Sequence, residues 1–226
     1  MADVTSSGAT LRGIERLAVF NRCRAAFGLR WELPPLLSGV VMPAGSHCLE
    51  IGTGLGWGTV GLLRKGTSVA VVTTDYERPI LQRARAFVQE KQPGSRVNYA
   101  QVDAKALPFL NERFDFVLSL YVLHHTKGYQ AALTEIARVL RPGGFLLVMD
   151  LMRPSFLPQL PASIAPEGLL TKSEWHELFR SCGFSIARWQ TRYFLGPLAR
   201  CSVVACRLAE PAPAGERRAG EHPAHQ

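Results

Sequence analysis

Short apolar runs alternate with longer amphipathic segments through most of the chain. The apolar runs predict strands that are buried on both faces of a parallel sheet. They cover residues 48–51, 68–74, 96–102, 114–120 and 145–150. Between them, residues 59–65, 79–92 and 129–140 repeat apolar side chains at the three- and four-residue spacing of helices. This alternation predicts an α/β fold in which helices cover both faces of the sheet.

The segments outside this alternation define the domain boundaries. Residues 1–44 have helical spacing over 11–29, a break at Trp31–Pro35, where Pro35 restricts Pro34 to extended backbone, and a short helix over 36–41. We expect an N-terminal helical cap over 1–44 and a main domain over 45–208. Four prolines predict an irregular, lid-like insertion at 151–171. Residues 209–226 lack large apolar side chains, which predicts a disordered tail.

A glycine-rich turn joins the first predicted strand to its helix. From position 52 to 58 every second residue is glycine. Glycine has no Cβ, and the turn leads into a helix N-terminus, so several backbone N–H groups can approach a polar or anionic ligand. A dinucleotide fingerprint is excluded because Trp57 stands where its third glycine belongs, and no Gly-Lys-Ser/Thr follows as in a Walker loop. For this stretch alone, a turn that binds nothing is the alternative.

The turn and three motifs after it resemble a known family. Glu50-x-Gly52-x-Gly54-x-Gly56 resembles motif I of the class I S-adenosylmethionine methyltransferases. The heptapeptide at 103–109, Asp-Ala-Lys-Ala-Leu-Pro-Phe, resembles the element that meets adenine in that family. The phrase Phe-Asp-x-Val-x-Ser-x-x-Val-Leu-His-His at 114–125 resembles its small-molecule, UbiE-like or type 11, branch. The turn Leu-Arg-Pro-Gly-Gly at 140–144 resembles the one that joins the fourth helix to the fifth strand in this fold.

The resemblance covers about residues 45–208 and implies both a fold and a cofactor. The fold is a doubly wound, Rossmann-like sheet of seven strands whose last strand is antiparallel, and the cofactor is S-adenosylmethionine. The cofactor-binding residues that the resemblance implies are Glu50, Gly52, Thr53, Gly54, Gly56, Asp75, Tyr76, Asp103, Ala104 and Ser119. Ser119 would meet the methionine end, whereas Asp103 and the next backbone N–H would meet the adenine.

Asp75 also has an argument of its own. It stands at the tip of the second predicted strand. A carboxylate at this position can accept hydrogen bonds from both hydroxyl groups of a ribose. The alternative is a cap for the helix that begins near Arg78–Pro79, where Asp is favoured in any case.

The implied reaction is transfer of the sulfonium methyl group to a nucleophile. Since the sulfonium is already activated, the protein mainly aligns and desolvates the reactants, and a base is needed only when the nucleophile carries a proton. His124 and His125 follow the fourth strand and are the candidate bases. Packing, or capping of the next helix, is an equal alternative for each of them. Tyr121 is a further catalytic candidate, for positioning the acceptor.

Charge and cysteine content change this picture little. The net charge of +8 suits an anionic substrate, nucleic acid or an acidic membrane surface, but the basic residues are spread along the chain. The N-terminal arginines fit a solvated helix face. Five cysteines without a Cys-x-x-Cys pair give no zinc spacing and no disulfide framework, so we predict no metal site and a reducing compartment. No signal-peptide pattern or membrane-length apolar run is found, which predicts a cytoplasmic protein.

Missing motifs narrow the acceptor. The tip of the fourth strand lacks the Asn/Asp-Pro-Pro-Tyr/Phe sequence of nucleic-acid amino methylation, and the chain lacks the acidic magnesium cluster of catechol O-methyltransferases. We therefore expect a small organic acceptor, no nucleic-acid partner and no membrane span. The oligomeric state stays open, a homodimer included. Two rival functions are an RNA or other nucleic-acid methyltransferase and a non-catalytic protein with this fold that only binds.

Overall fold

A computed structural model describes residues 21–126, 128–156, 169–193 and 199–209. Seven strands form one sheet: β1 (His47–Ile51), β2 (Ala70–Asp75), β3 (Val97–Gln101), β4 (Phe114–Leu120), β5 (Leu140–Met152), β6 (Phe184–Tyr193) and β7 (Ala199–Arg207). Their order is β3-β2-β1-β4-β5-β7-β6. Strands β1 to β5 pair in parallel, and β7 runs antiparallel to both of its neighbours. The predicted seven-stranded, doubly wound sheet with an antiparallel last strand is confirmed.

Strand order reverses beside β1, which fixes where a ligand can bind. Strand β1 pairs with β2 on one side and with β4 on the other. Ile51, its last residue, lies beside Thr74 and Ser119. In open parallel sheets the crevice beyond the carboxyl ends of the strands, at such a reversal, is the usual ligand site. We call this side of the sheet the carboxyl edge.

Helices cover both faces of the sheet. They are α1 (Arg22–Phe27), α2 (Leu33–Leu37), α3 (Trp57–Lys65), α4 (Arg78–Lys91), α5 (Tyr129–Val139) and α6 (Lys172–Ser181). Successive residues of β4 point to opposite faces, as strand geometry requires. Val117 therefore joins one buried cluster, with α5 and α6, whereas Phe116 and Leu118 join the other, with α2 and α3. None of the described helices is both long enough and apolar enough to cross a bilayer.

The start of the described chain corrects one prediction. The expected break at Trp31–Pro35 is wrong, because a π-helical turn (Gly28–Glu32) joins α1 directly to α2. Pro34 falls in the first turn of α2, where a missing backbone N–H costs little. We refer to residues 22–37 as the cap. It packs on α3, because a Cβ on Gly28 would lie 2.9 Å from the Trp57 ring.

Most other elements begin and end within a few residues of their predicted bounds. Helix α3 begins at Trp57, two residues early. Strand β5 begins at Leu140, which pairs with Phe114, and its regular pairing resumes at Phe145. The capping box that opens α6 is present, with the Thr171 side chain and the Glu174 carboxylate each bound to the other's backbone. Residues 1–20, the middle of the predicted lid at 157–168 and the predicted tail at 210–226 lie outside the described residues.

Candidate cofactor and acceptor site

The glycine turn is a tight loop that side chains would disturb. Gly52, Gly54 and Gly56 have φ angles of +70°, +52° and +89°, in the left-handed region that glycine adopts without strain. A hydrogen bond of 2.8 Å from Thr53 N to Thr74 O ties the loop to β2. On the other side it abuts the end of β4, since a Cβ on Gly52 would lie 2.2 Å from a Val122 methyl group.

Gly52→Ala is expected to lower the free energy of unfolding by about 2 kcal/mol, because the new methyl group meets both a left-handed backbone and Val122. Urea denaturation measures the loss. Gly45→Ala is the matched control, since Gly45 has a φ of +80° but nothing within 4 Å of its Cβ position. Equal losses in the two variants would show that the contact with Val122 adds nothing to the destabilisation caused by Gly52→Ala.

Asp75 connects the tip of β2 to this loop. Its Oδ2 accepts a hydrogen bond of 3.3 Å from Gly54 N, and its Oδ1 accepts one of 3.1 Å from Glu77 N. Burial raises the pKa of the carboxyl group, and these backbone N–H groups act against that rise. The carboxylate of Asp75 therefore connects the glycine loop to Glu77, the residue that precedes helix α4.

The other predicted cofactor residues lie along the same edge. Asp103 follows β3 and accepts a hydrogen bond of 2.9 Å at Oδ1 from Lys105 N. Tyr76 is exposed, and its carbonyl oxygen accepts a bond of 3.0 Å from Gln101 Nε2. Ala104 is half-buried. Ser119 is fully buried at the end of β4, and its Oγ has no hydrogen-bond partner among the described residues. A buried hydroxyl of this kind is a polar atom that a ligand can satisfy.

The buried carboxylate of Glu50 stabilises the glycine turn through hydrogen bonds. Only 1% of the residue is exposed, and its Oε2 accepts hydrogen bonds from three threonine hydroxyls: Thr73 at 2.7 Å, Thr53 at 3.4 Å and Thr59. Burial raises the pKa of this carboxyl group to about 7, and the hydroxyl bonds keep it from rising further. The carboxylate therefore joins β1, β2 and α3 beneath the glycine turn.

The two predicted histidines occupy different environments. His124 is buried, and its Nδ1 is paired with Asp150 Oδ1. Asp150 Oδ2 accepts hydrogen bonds from the backbone N–H groups of Leu123, at 2.9 Å, and His124, at 3.3 Å. The His125 ring is half-buried and lies on the His124 ring, with 3.8 Å between centroids. Asp150 therefore fixes both the backbone and the ring of His124.

Asp150 was not predicted as a site residue, although a signal for it exists. It comes near the end of β5, and Asp75 and Asp103 hold similar places at β2 and β3. A third carboxylate at a strand end was thus visible in the sequence. Its partner was not visible, because 26 residues separate Asp150 from His124.

A second buried polar cluster joins the cap to the sheet. Glu32 is 4% exposed and accepts a hydrogen bond of 3.0 Å from the Tyr121 hydroxyl. Arg24 lies 2.7 Å from Glu32 Oε2, and Arg200, at the start of β7, is paired with Oε1. Burial, followed by the charge of Glu32, raises the pKa of Tyr121. Tyr121 therefore stays a phenol, which favours a positioning function over proton removal. Sequence reasoning missed both arginines and Glu32, because their burial depends on distant segments.

The backbone of Tyr121 is itself unusual. Its φ is +58°, a left-handed conformation that costs free energy in a residue with a side chain. Two contacts hold it there: Tyr121 N donates a bond of 2.7 Å to Met149 O, and the hydroxyl bonds to Glu32. Such conformations persist where the surrounding structure imposes them, often at functional sites.

Sequence comparison finds methyltransferases among the proteins that are similar to this chain. A family model described as a methyltransferase domain matches residues 49–148. The O-methyltransferase cnsE of Penicillium expansum is 32% identical over 148 residues, which make up 63% of this chain and 53% of that protein. UbiE of Hahella chejuensis, a ubiquinone/menaquinone biosynthesis C-methyltransferase, is 36% identical over 113 residues, 50% of this chain and 45% of that protein. The chain thus spans about half the length of these curated relatives.

Solved structures share the fold at lower identity. A SAM-dependent methyltransferase from Aquifex aeolicus has a TM-score of 0.68 at 17% identity, covering 88% of this chain and 100% of that one. The (4+2)-cyclase SpnF also has a TM-score of 0.68, at 19% identity, covering 78% of this chain and 79% of that one. At this identity the likeness shows the fold alone. Residues 49–148 thus match a methyltransferase domain, and the chain shares the fold of a solved SAM-dependent methyltransferase.

Proposed function

We propose that this chain transfers the methyl group of S-adenosylmethionine to a small organic acceptor, with His124 as the base that removes the acceptor's proton. The buried pair between His124 Nδ1 and the Asp150 carboxylate carries this proposal. Asp150 is fully buried, and His124 is 5% exposed. Because Nδ1 is committed to the carboxylate, Nε2 is the ring nitrogen that can take up a proton.

The residues of the carboxyl edge fit the cofactor. The loop of Gly52, Gly54 and Gly56 has no Cβ to block a ligand at these three positions, and Asp75, which accepts the Gly54 N–H, supplies a carboxylate suited to ribose hydroxyls. In the proposed site, Asp103 and Ala104 hold the adenine, Tyr76 lies beside the ribose, and Ser119 meets the methionine end. When bound, S-adenosylmethionine supplies an electrophilic methyl group.

His124 is well arranged to act as a base. Asp150 accepts a hydrogen bond from Nδ1–H and would stabilise the imidazolium that forms when Nε2 is protonated, as a buried carboxylate does in other histidine–aspartate pairs. The backbone bonds from Leu123 and His124 to the same carboxylate keep the turn in place. His125 lies against the ring and restricts its rotation. We propose that His125 holds the His124 ring in place and is not itself the base.

The acceptor is proposed to carry its proton on the nucleophilic atom. A base is useful for an O–H or an acidic C–H, and the curated relatives include one O-methyltransferase and one C-methyltransferase. Tyr121 is proposed to orient this acceptor, since its phenol is fixed by Glu32 beside the end of β4. Binding of the acceptor beneath the cap would exclude water from the reacting atoms.

Two measurements test the function. Calorimetry with S-adenosylmethionine and with its demethylated product should show binding of both, and a protein that binds neither would contradict the assignment. Incubation of the full chain with extracts and a methyl-labelled donor should then label a small molecule. Labelled RNA would favour the nucleic-acid alternative. Cofactor binding without transfer to any acceptor would favour a binding protein.

Asp75→Asn is expected to weaken binding of the demethylated product by about tenfold to a hundredfold, since a hydrogen bond to a charged group contributes about 1.5–3 kcal/mol. Calorimetry gives the ratio of dissociation constants. Asp115→Asn is the matched control, because Asp115 is also a strand carboxylate but lies near the start of β4, at the opposite edge. An equal loss in both variants would refute a direct contact between Asp75 and the ribose.

A further inference from the structure

Exposed large apolar side chains fall into two groups on the described part of the chain. The aliphatic ones, Val41, Leu110 and Leu208, lie before β1, before β4 and after the antiparallel β7, and therefore at the edge opposite the cofactor crevice. The aromatic ones lie at the carboxyl edge or on the cap beside it: Phe27, Trp31, Tyr76, Phe156 and Tyr193. Aromatic exposure is thus concentrated at the carboxyl edge and on the cap.

The secondary structure places each of these aromatic residues at the carboxyl edge or on the cap. Phe156 follows the end of β5, and Tyr193 ends β6, which runs in the same direction as β5. Their exposed fractions are 74% and 68%. Phe27 and Trp31 are one helical turn apart on the outer side of the cap and are 52% and 61% exposed. We call Phe27, Trp31, Phe156 and Tyr193 the aromatic rim.

Contacts on the inner side of the cap place the helical turn of Phe27 and Trp31 near the carboxyl edge. Arg24 lies over the Tyr121 ring, 5.1 Å from its centroid, and Glu32 is paired with Arg200 at the start of β7. Phe27 lies between Arg24 and Glu32 in sequence and faces outward. The part of the cap that carries the outward aromatic side chains therefore lies against Tyr121 and the start of β7.

The exposed charge beside the rim is positive. The Arg30 guanidinium lies over the Trp31 ring, 4.8 Å from its centroid, and Arg192 is exposed next to Tyr193. The cap contains a single acidic residue, Glu32, and this residue is buried against two arginines. The one carboxylate of the cap therefore faces inward. The exposed Arg22 is paired with Glu90 of α4, and Arg30 is the cap's exposed guanidinium beside the rim.

We propose that the aromatic rim docks the protein on an anionic phospholipid surface, with the crevice opening toward the bilayer. Aromatic side chains are favoured at the membrane interface, and arginines beside them are attracted to anionic headgroups. The rings come from three separate segments at the carboxyl edge, the cap, the segment after β5 and the end of β6, so they are spread over one edge of the sheet rather than aligned on one element. This arrangement fits a flat lipid surface better than a single nucleic-acid strand. The proposal does not depend on methyl transfer.

Sedimentation of the full chain with lipid vesicles tests the proposal. The protein should bind vesicles of phosphatidylcholine mixed with phosphatidylglycerol and bind pure phosphatidylcholine more weakly, with a difference that shrinks as salt rises. The double variant Phe27→Ser/Trp31→Ser should bind the mixed vesicles at least about tenfold more weakly. The matched control is Val41→Ser/Leu110→Ser, which removes side chains that are 80% and 79% exposed at the opposite edge and should bind like the parent protein.

Two single variants complete the test: Tyr193→Ser makes the result independent of changes in the cap fold, and Arg30→Glu isolates the contribution of charge. Tyr193→Ser lies outside the cap and should weaken binding to both kinds of vesicle, whereas Arg30→Glu should weaken binding to the anionic vesicles alone. The proposal is overturned if the parent protein binds no vesicles or if the control double variant loses as much binding as the rim variant. It is also overturned if light scattering shows a dimer, or gel shift an RNA complex, that the rim variant abolishes while vesicle binding is unchanged.

Discussion

Replacing His124 with glutamine is expected to lower turnover by about a hundredfold or more, because the side chain loses its only basic nitrogen. A glutamine amide can still donate to Asp150, so the buried carboxylate keeps a partner. Affinity for S-adenosylmethionine should stay within about twofold, because His124 is proposed to act on the acceptor's proton. The measurements are the turnover number with the acceptor identified by methyl labelling, and cofactor affinity by calorimetry.

His125→Gln is the matched control, since the two histidines are neighbours and their rings are in contact. We expect it to lower turnover only a few-fold. Asp150→Asn should lower turnover by at least about tenfold, because an amide can also donate to Nδ1 and thereby favour the wrong tautomer of His124. Loss of cofactor binding in the His124 variant, or an equal loss of turnover in the His125 variant, would contradict the assignment of His124 as the base.

The second large effect is on stability and concerns Glu50. Its carboxyl pKa is about 7 in the folded protein against an ordinary value of 4.5. Between these values the folded protein holds a proton that the unfolded chain has released, so the contribution of Glu50 to stability is full below pH 4.5. It falls as the pH rises toward 7 and is constant above that. The shift corresponds to about 3 kcal/mol over this range.

Glu50→Gln should remove this dependence. A glutamine does not ionise, and its carbonyl oxygen can still accept hydrogen bonds from the threonine hydroxyls. Urea denaturation at intervals between pH 4.5 and 8 should show the variant gaining stability relative to the parent protein up to about pH 7. Glu177→Gln, at an exposed position on α6, should give a curve parallel to that of the parent protein. Parallel curves for both variants would rule out a buried, proton-holding Glu50.

The two buried clusters suggest a division of functions at the carboxyl edge. The pair of His124 and Asp150 lies after β4 and in β5, where we propose that the acceptor's proton is removed. The cluster around Glu32 joins the cap to Tyr121 and Arg200 and holds the wall on the other side of the β4 tip. Between these two clusters, the acceptor would meet a base on one side and a fixed phenol on the other.

Local patterns in the sequence predicted much of this arrangement. The alternation of apolar runs and helical spacing determined the α/β fold, because each pattern reflects how a short segment contacts its surroundings. The glycines at 52, 54 and 56 predicted the turn, since a left-handed backbone favours residues without a Cβ. Asp75, Asp103 and Ser119 were predicted at one edge, because parallel strands bring their carboxyl ends together.

Only the tertiary structure showed which distant side chains meet. Tyr121 and Glu32 are 89 residues apart, and Glu32 and Arg200 are 168 apart. Neither contact leaves a periodic signal in a single sequence. The break expected at Trp31–Pro35 was wrong for the same reason. Packing against Trp57 and the buried pairing of Glu32 keep this segment helical and outweigh the local preference of Pro34 for extended backbone. Segment conformation follows from neighbouring residues, whereas the partner of a buried charge is chosen by the whole fold, because only the fold removes that charge from water.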